Sequence, residues 1–109
     1  MKRVLFICSQ NRLRSPTAEH LFANRPGFEV TSAGLNAGAQ TEVSSDLLAW
    51  SDLIFVMETH HRQMLSKKFR PHLKGKRIIC LDIPDEFEYM DPGLVRLLEA
   101  RAGPFFRNR

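Results

Sequence analysis

The hydrophobic residues of this chain fall into short runs that alternate between two kinds of spacing. Four of these runs are rich in β-branched or aromatic residues, and each is too short for a helix and ends at polar residues or glycine. This pattern is typical of short strands in a sheet. The predicted strands cover residues 3–7, 28–32, 53–57 and 77–81.

Between the predicted strands, apolar residues recur at the spacing of a helix. Ser15 is the predicted N-cap of the first helix, with Pro16 at the first helical position, and Thr59 is the predicted cap of the third. Asp91-Pro92 begins a final amphipathic helix. The other predicted helices cover residues 16–24, 45–50 and 59–68.

Strands and helices therefore alternate along the whole chain. Parallel strands joined by right-handed crossovers form a sheet that is covered by helices on both faces. We predict an α/β fold with three layers, a doubly wound four-stranded parallel sheet, formed as a single domain over residues 1–109. Such sheets bind ligands beyond the carboxyl ends of their strands, so the loop after Cys8 and the segment at residues 82–85 should meet.

Composition narrows the class of protein. The sequence is 43% hydrophobic and 26% charged, as in soluble globular proteins, and no apolar run approaches the ~20 residues of a membrane span. The apolar start at residues 4–7 is too short for the core of a signal peptide and continues into polar residues. We therefore expect a cytoplasmic protein without a membrane partner.

The net charge of +4 favours anionic partners. The densest basic run lies at residues 67–77. A solvated surface segment is its simplest interpretation. Steering of a phosphorylated substrate and weak nucleic-acid binding are the alternatives.

The two cysteines, Cys8 and Cys80, do not suggest a disulfide framework. Cys80 lies inside an apolar strand and is expected to be an inert core thiol. His60 and His61 are adjacent, so they should face different ways on a helix, and no further ligands surround them in the sequence. We expect two surface histidines and no metal site.

The loop after the first strand carries the most specific chemistry. Cys8 precedes Arg14 by six positions, and the loop between them leads into a helix N-terminus. Backbone N–H groups of such a loop can point at one phosphate, and the helix dipole adds positive charge that also favours a thiolate. The guanidinium of Arg14 can bind two phosphate oxygens, and the Ser15 hydroxyl can donate to the Cys8 sulfur. Substrate contacts are expected from Ser9, Gln10, Asn11, Arg12, Leu13 and Ser15.

Residues 8–16, Cys-Ser-Gln-Asn-Arg-Leu-Arg-Ser-Pro, resemble the signature loop of the low-molecular-weight protein tyrosine phosphatases. Residues 31–34, Thr-Ser-Ala-Gly, resemble the Ser-Ala-Gly turn of that family, and residues 52–58 resemble its third strand. The resemblance implies a phosphatase fold and activity, and it implies that Ser32 braces Asn11.

The sequence departs from the family pattern in three places. Gln10 replaces the usual glycine, and Leu13 replaces a second cysteine that can form a protective disulfide. The stretch at residues 35–44 is shorter than in typical members, which removes a helix and much of one wall of the substrate cleft.

A general acid must protonate the leaving oxygen. The resemblance points to an aspartate in the loop after the fourth strand, and Asp85 lies at the matching distance, followed by Phe87 and Tyr89 as rings that could flank the substrate. Asp82, at the strand end, is the alternative acid or a loop-bracing carboxylate. Asp91 is better explained as an N-cap, and Glu86 or no acid at all are the remaining options.

These features together predict a cysteine-dependent phosphatase that hydrolyses phosphate monoesters, with phosphotyrosine in proteins as the expected substrate, through a phosphocysteine intermediate. Small phosphate monoesters could also serve, and the mechanism requires no metal or organic cofactor. The alternatives are a phosphatase for phosphoarginine, nucleotides or RNA-end phosphate, a catalytically weak phosphate-binding module, and an arsenate reductase. Arsenate reduction needs resolving thiols, for which Cys80 is poorly placed.

Overall fold

A computed structural model describes residues 1–107 and contains one four-stranded parallel sheet. The strands follow the order β2-β1-β3-β4, and each neighbouring pair is parallel. The predicted α/β fold with a doubly wound four-stranded parallel sheet is confirmed. The strands are β1 (Lys2–Cys8), β2 (Phe28–Gly34), β3 (Leu53–Val56) and β4 (Arg77–Cys80).

Four helices cover the sheet, and two short 3₁₀ turns follow the third and fourth. None of the helices in residues 1–107 has the length and apolar character needed to cross a bilayer. The helices are α1 (Arg14–Phe22), α2 (Ser45–Trp50), α3 (Thr59–Phe69) and α4 (Pro92–Arg101), and the turns are Arg70–His72 and Gly103–Phe106.

Each face of the sheet carries its own hydrophobic core because alternate strand residues point to opposite faces. On one face Phe6 stacks on Phe55, with ring centroids 5.0 Å apart, and α1 and α4 cover this cluster. On the other face Leu5 and Ile7 pack with Leu48 of α2 and Leu65 of α3. The two cores fix the sheet between two helical layers.

The order of the strands reverses around β1, which lies between β2 and β3. Ligand sites of doubly wound sheets form at such reversal points, beyond the carboxyl ends of the strands. Cys8, the last residue of β1, pairs with Gly34 at the end of β2. The basic run at residues 67–77 precedes β4 and therefore lies at the opposite edge of the sheet, away from this point.

Two predicted helix caps are wrong. Helix α1 begins at Arg14, with Leu13 as its N-cap, so Ser15 and Pro16 lie within the first turn. Ser15 does not cap the helix because its hydroxyl is turned toward Cys8 instead. Helix α3 is capped by Glu58 rather than Thr59, and the backbone N–H of Glu58 donates in return to the ring of His61. The predicted cap at Asp91 is confirmed, since its carboxylate accepts from the Gly93 N–H at 2.7 Å.

Candidate active site

The loop between β1 and α1 folds around the sulfur of Cys8. The backbone N–H of Asn11 donates to Cys8 Sγ at 3.2 Å, and Ser15 Oγ lies 3.0 Å from the same sulfur. The residue of the loop with a left-handed backbone conformation is Asn11 (φ 56°), and asparagine tolerates this conformation. Because Gln10 does not have to adopt it, a residue other than glycine fits at position 10. The substitution is therefore compatible with the backbone conformation of the loop.

Side chains behind the loop fix its shape. Asn11 Nδ2 donates to Ser15 Oγ and to Ser32 Oγ, each at 2.9 Å, and Ser32 Oγ donates to Glu19 at 2.5 Å. Since Ser15 Oγ accepts from Asn11, its own proton can go to the Cys8 sulfur at 3.0 Å or to the more distant carbonyl of Ala33 at 3.4 Å. The contact between Ser32 and Asn11 is the one that the family resemblance implied.

The segment after β2 packs against the outer side of the same loop. The N–H of Asn36 donates to the carbonyl of Ser9, and the N–H of Gln40 donates to that of Gln10, both at 3.0 Å. A Cβ at Gly34 would lie 2.6 Å from the Ser9 carbonyl oxygen, so only glycine fits where β2 passes the loop. The shortened stretch at residues 35–44 thus supports the loop, although it forms no helix.

Arg14 is buried, with 2% of its side chain exposed, and two hydrogen bonds fix its guanidinium. Its Nη1 donates to Glu58 Oε2 at 2.6 Å and to the carbonyl of Ile83 at 2.7 Å. Burial acts to raise the pKa of Glu58, but the hydrogen bond and charge of Arg14, together with His60, lower it below its ordinary value. Glu58 therefore stays ionised and gives the buried guanidinium a charged partner.

His61 is fully buried, whereas its neighbour His60 is exposed. The prediction of two surface histidines is therefore wrong for His61. Its Nδ1 accepts from the backbone N–H of Glu58 at 3.1 Å, and its Nε2 lies 2.8 Å from Ser9 Oγ. Burial lowers the pKa of His61 to about 4, because the charged ring would be poorly solvated and would face His60 and Arg14.

Glu58, His60 and His61 bring their ligand-type atoms within 4.8 Å of one another, contrary to the expectation that no further ligand would lie near the histidines. Both ring nitrogens of His61 already have hydrogen-bond partners, and Glu58 is paired with Arg14. A cation that takes one nitrogen of His61 would displace the hydrogen bond to that nitrogen, and it would lie beside the positive Arg14 guanidinium. The donor set therefore does not fit a resident metal.

A cavity of about 160 Å³ opens at the Cys8 side chain. Asp85, which comes from the loop after β4, enters this cavity with its carboxylate 3.7 Å from Arg14 Nε and 63% of its side chain exposed. Asn11 and Ser15 lie behind the cavity instead of lining it. The lining residues are Cys8, Ser9, Gln10, Arg12, Leu13, Arg14 and Asp85.

The other acid candidates lie elsewhere. Asp82 is exposed, adopts a left-handed backbone (φ 58°) and lines a different cavity beside Glu58 and His60. Asp91 uses its carboxylate to cap α4. Of the carboxylates in residues 1–107, Asp85 is the one that lines the Cys8 cavity.

Three further side chains lie away from the Cys8 cavity. Phe87 is half-buried against the core, and the exposed Tyr89 lies beside His20 near a neighbouring cavity. No aromatic ring within residues 1–107 lines the Cys8 cavity. Cys80 packs against the core on the opposite face from Cys8, so it is badly placed to act as a resolving thiol.

Sequence reasoning missed the roles of Glu58, His61 and Glu19 in positioning the site. Glu58 and His61 occupy the N-cap and N3 positions of a helix, the spacing of a capping box, and that spacing was the available signal. Their contacts to Arg14 and Ser9 span 44 and 52 positions of the chain, and local pattern does not reveal such contacts.

Comparison with known proteins identifies the family of this chain. Residues 3–49 match the family model described as low molecular weight phosphotyrosine protein phosphatase. A protein-arginine-phosphatase from Geobacillus stearothermophilus is 30% identical over 98 residues, and the match covers 68% of this chain and 66% of that relative. The chain thus spans about two thirds of the length of this relative.

Solved structures show the same fold. The arginine phosphatase YwlE from Geobacillus stearothermophilus superposes with a TM-score of 0.77 at 23% identity, covering 96% of this chain and 93% of that one. The tyrosine phosphatase Wzb from Escherichia coli K30 superposes with a TM-score of 0.79 at 22% identity, covering 95% of each chain. This chain belongs to the low-molecular-weight phosphotyrosine protein phosphatase family.

Proposed function

We propose that this chain is a cysteine-dependent phosphatase in which Cys8 attacks phosphorus, Arg14 holds the phosphate and Asp85 is the general acid. The observation that carries the proposal is the shared cavity, where the Cys8 sulfur, the Arg14 guanidinium and the Asp85 carboxylate converge. We also propose that residues 1–109 act as one phosphatase domain in the cytoplasm, where the Cys8 thiol is kept reduced.

In the first step the Cys8 thiolate forms a bond to phosphorus as the bond to the leaving oxygen breaks. Asp85 gives its proton to that oxygen, so the leaving group departs as a neutral alcohol. In the second step water attacks the phosphocysteine while ionised Asp85 takes a proton from the water, and Cys8 leaves as a thiolate. Arg14 and the loop N–H groups stabilise the equatorial oxygens in both steps.

The proposed substrate is a phosphorylated protein. Phosphotyrosine is the first candidate, because the family match and the tyrosine phosphatase Wzb point to it. Phosphoarginine is the second candidate, favoured by the match to the protein-arginine-phosphatase and by the lack of an aromatic wall in the described part of the cavity. Small phosphate monoesters and RNA-end phosphate are further test substrates. The structure favours RNA ends less, because the basic run at residues 67–77 lies at the opposite edge of the sheet from the Cys8 cavity.

The covalent step is tested with Cys8→Ser. A hydroxyl is a poor nucleophile, but the cradle of backbone N–H groups remains, so turnover should vanish while phosphate or vanadate still binds. A phosphate-binding module without turnover would appear as wild-type protein that binds phosphate and releases no product. Wild-type activity in Cys8→Ser would exclude the covalent mechanism.

The acid is tested with Asp85→Asn, using Asp82→Asn as the matched control three residues away. A phosphate ester with a very acidic leaving alcohol needs little protonation, whereas an alkyl ester needs much. Asp85→Asn should therefore damage turnover of the alkyl ester far more than that of the acidic ester. If Asp82→Asn shows this pattern and Asp85→Asn does not, the assignment of the acid is wrong.

The substrate is tested by measuring kcat/KM on peptides that carry phosphotyrosine or phosphoarginine at the same position, with nucleotides and RNA ends as comparison substrates. A preference for phosphotyrosine supports the first candidate. A preference for the phosphoarginine peptide moves the substrate assignment to the second candidate. The attack by Cys8 is then unchanged, but the bond that breaks is P–N, and Asp85 protonates the leaving nitrogen in place of an oxygen.

A further inference from the structure

The start of α3 contacts the phosphate loop at two separate points. Glu58 holds the Arg14 guanidinium, and His61 reaches Ser9, the residue directly after the nucleophile. His61 is fully buried, while Ser9 is half-buried and lines the Cys8 cavity. The hydrogen bond from His61 therefore ends on the hydroxyl of a residue that lines the proposed phosphate site.

The contacts of His61 define which ring nitrogen carries the proton. A backbone N–H can only donate, so the contact from Glu58 N requires that Nδ1 be the acceptor. Neutral imidazole then carries its proton on Nε2, which must donate to Ser9 Oγ at 2.8 Å. Since His61 does not accept from Ser9, the hydroxyl proton of Ser9 is available for another acceptor.

We propose that His61 is a positioning residue that holds Ser9 with its hydroxyl proton directed into the cavity, where it donates to a phosphate oxygen. This inference rests on the proposed function, because it deepens how the same cavity recognises phosphate. A serine hydroxyl without a fixed partner can rotate its proton away from the anion. The Ser9 hydroxyl accepts from the buried imidazole of His61, and this contact restricts it to orientations in which its proton points toward the cavity. The loop thereby gains a side-chain donor beside its backbone donors.

Two substitutions separate the two contacts of His61. In His61→Asn the side-chain oxygen matches the position of Nδ1 and can still accept from Glu58 N, but the donor to Ser9 is lost. In His61→Gln the amide nitrogen matches the position of Nε2 and can still donate to Ser9, but the acceptor for Glu58 N is lost. His72→Gln, at an exposed histidine in the turn after α3, is the control for substitution alone.

The experiment measures the affinity for inorganic phosphate and kcat/KM for para-nitrophenyl phosphate, with the melting temperature recorded for each variant. Loss of a hydrogen bond to an anion is expected to weaken phosphate binding about tenfold in Ser9→Ala. His61→Asn should show the same loss, and Ser9→Ala/His61→Asn should be no worse than Ser9→Ala. His61→Gln and His72→Gln should remain within about twofold of wild type.

The proposal would be overturned by wild-type affinity in Ser9→Ala or in His61→Asn, and equally by losses that multiply in the double variant. Equal losses in His61→Asn and His61→Gln that follow the melting temperature would also overturn it, since they would reveal a purely structural histidine. The phosphate-affinity measurement does not need turnover. A chain that binds phosphate with this pattern but hydrolyses nothing would therefore refute the proposed function and leave the role of His61 standing.

Discussion

Acidification should destabilise this protein through His61, and the size of the effect follows from the burial of its ring. The pKa of His61 is about 4 in the folded chain against an ordinary value of 6.5. Between these values the unfolded chain binds a proton that the folded chain excludes, so stability falls as pH falls through this window and is unaffected well above pH 6.5. The full difference corresponds to about 3 kcal/mol, of which about 2 kcal/mol should be lost between pH 7 and pH 5.

The assay is urea unfolding at pH 7 and pH 5 for wild type and His61→Asn, which cannot titrate at this position. The loss on acidification should be about 2 kcal/mol larger in wild type. Because the ionised form of Glu58 is lost only at lower pH, this comparison isolates the histidine. His72→Asn should behave as wild type. Equal losses in wild type and His61→Asn would refute the argument that a buried neutral imidazole controls acid stability.

Three further substitutions probe other parts of the molecule. Arg14→Lys should lower kcat at least ~30-fold, since one point charge replaces the planar fork, and a change within twofold would show that Arg14 does not hold the phosphate. Cys80→Ala should leave turnover per folded molecule within about twofold of wild type, because Cys80 packs on the face opposite Cys8, and a large loss in a turnover assay would revive a thiol relay. Asp91→Ala should cost about 0.5 to 2 kcal/mol in urea unfolding through the lost N-cap, with kcat unchanged, whereas a lost kcat at normal stability would point to Asp91 as the acid.

The fold could be predicted because each element is encoded locally. Apolar runs of strand length alternate with helical spacing, and right-handed crossovers leave few ways to assemble them. The errors in the predicted fold concern the N-caps of two helices. A side chain of a type that can cap a helix can also bind another partner, and the sequence does not show which partner it takes. Ser15 turns toward Cys8, and Glu58 is the N-cap of α3, where its backbone carbonyl accepts from the His61 N–H at 3.0 Å.

The site was predictable only where its residues are close in sequence or follow a strand end. Cys8 and Arg14 share one loop, and Asp85 follows β4 at the edge where β1 also ends. The burial of His61 could not be predicted, since an adjacent pair of histidines gives no sign of which ring enters the protein. The expected rings, Phe87 and Tyr89, lie outside the cavity because one packs on the core and the other contacts His20.

The start of α3 makes phosphate recognition depend on the completed sheet. Arg14 and Ser9 belong to the loop after β1, whereas their partners Glu58 and His61 follow β3, and the two segments come together only when β1 and β3 pair. An isolated loop-and-helix segment would keep the backbone donors but lose the groups that restrain the guanidinium and the hydroxyl. Phosphate should therefore bind the folded chain far better than the unfolded chain, which lacks these contacts. A ligand that binds the folded state more tightly stabilises it, so bound phosphate should stabilise the fold through the same contacts that order the cavity.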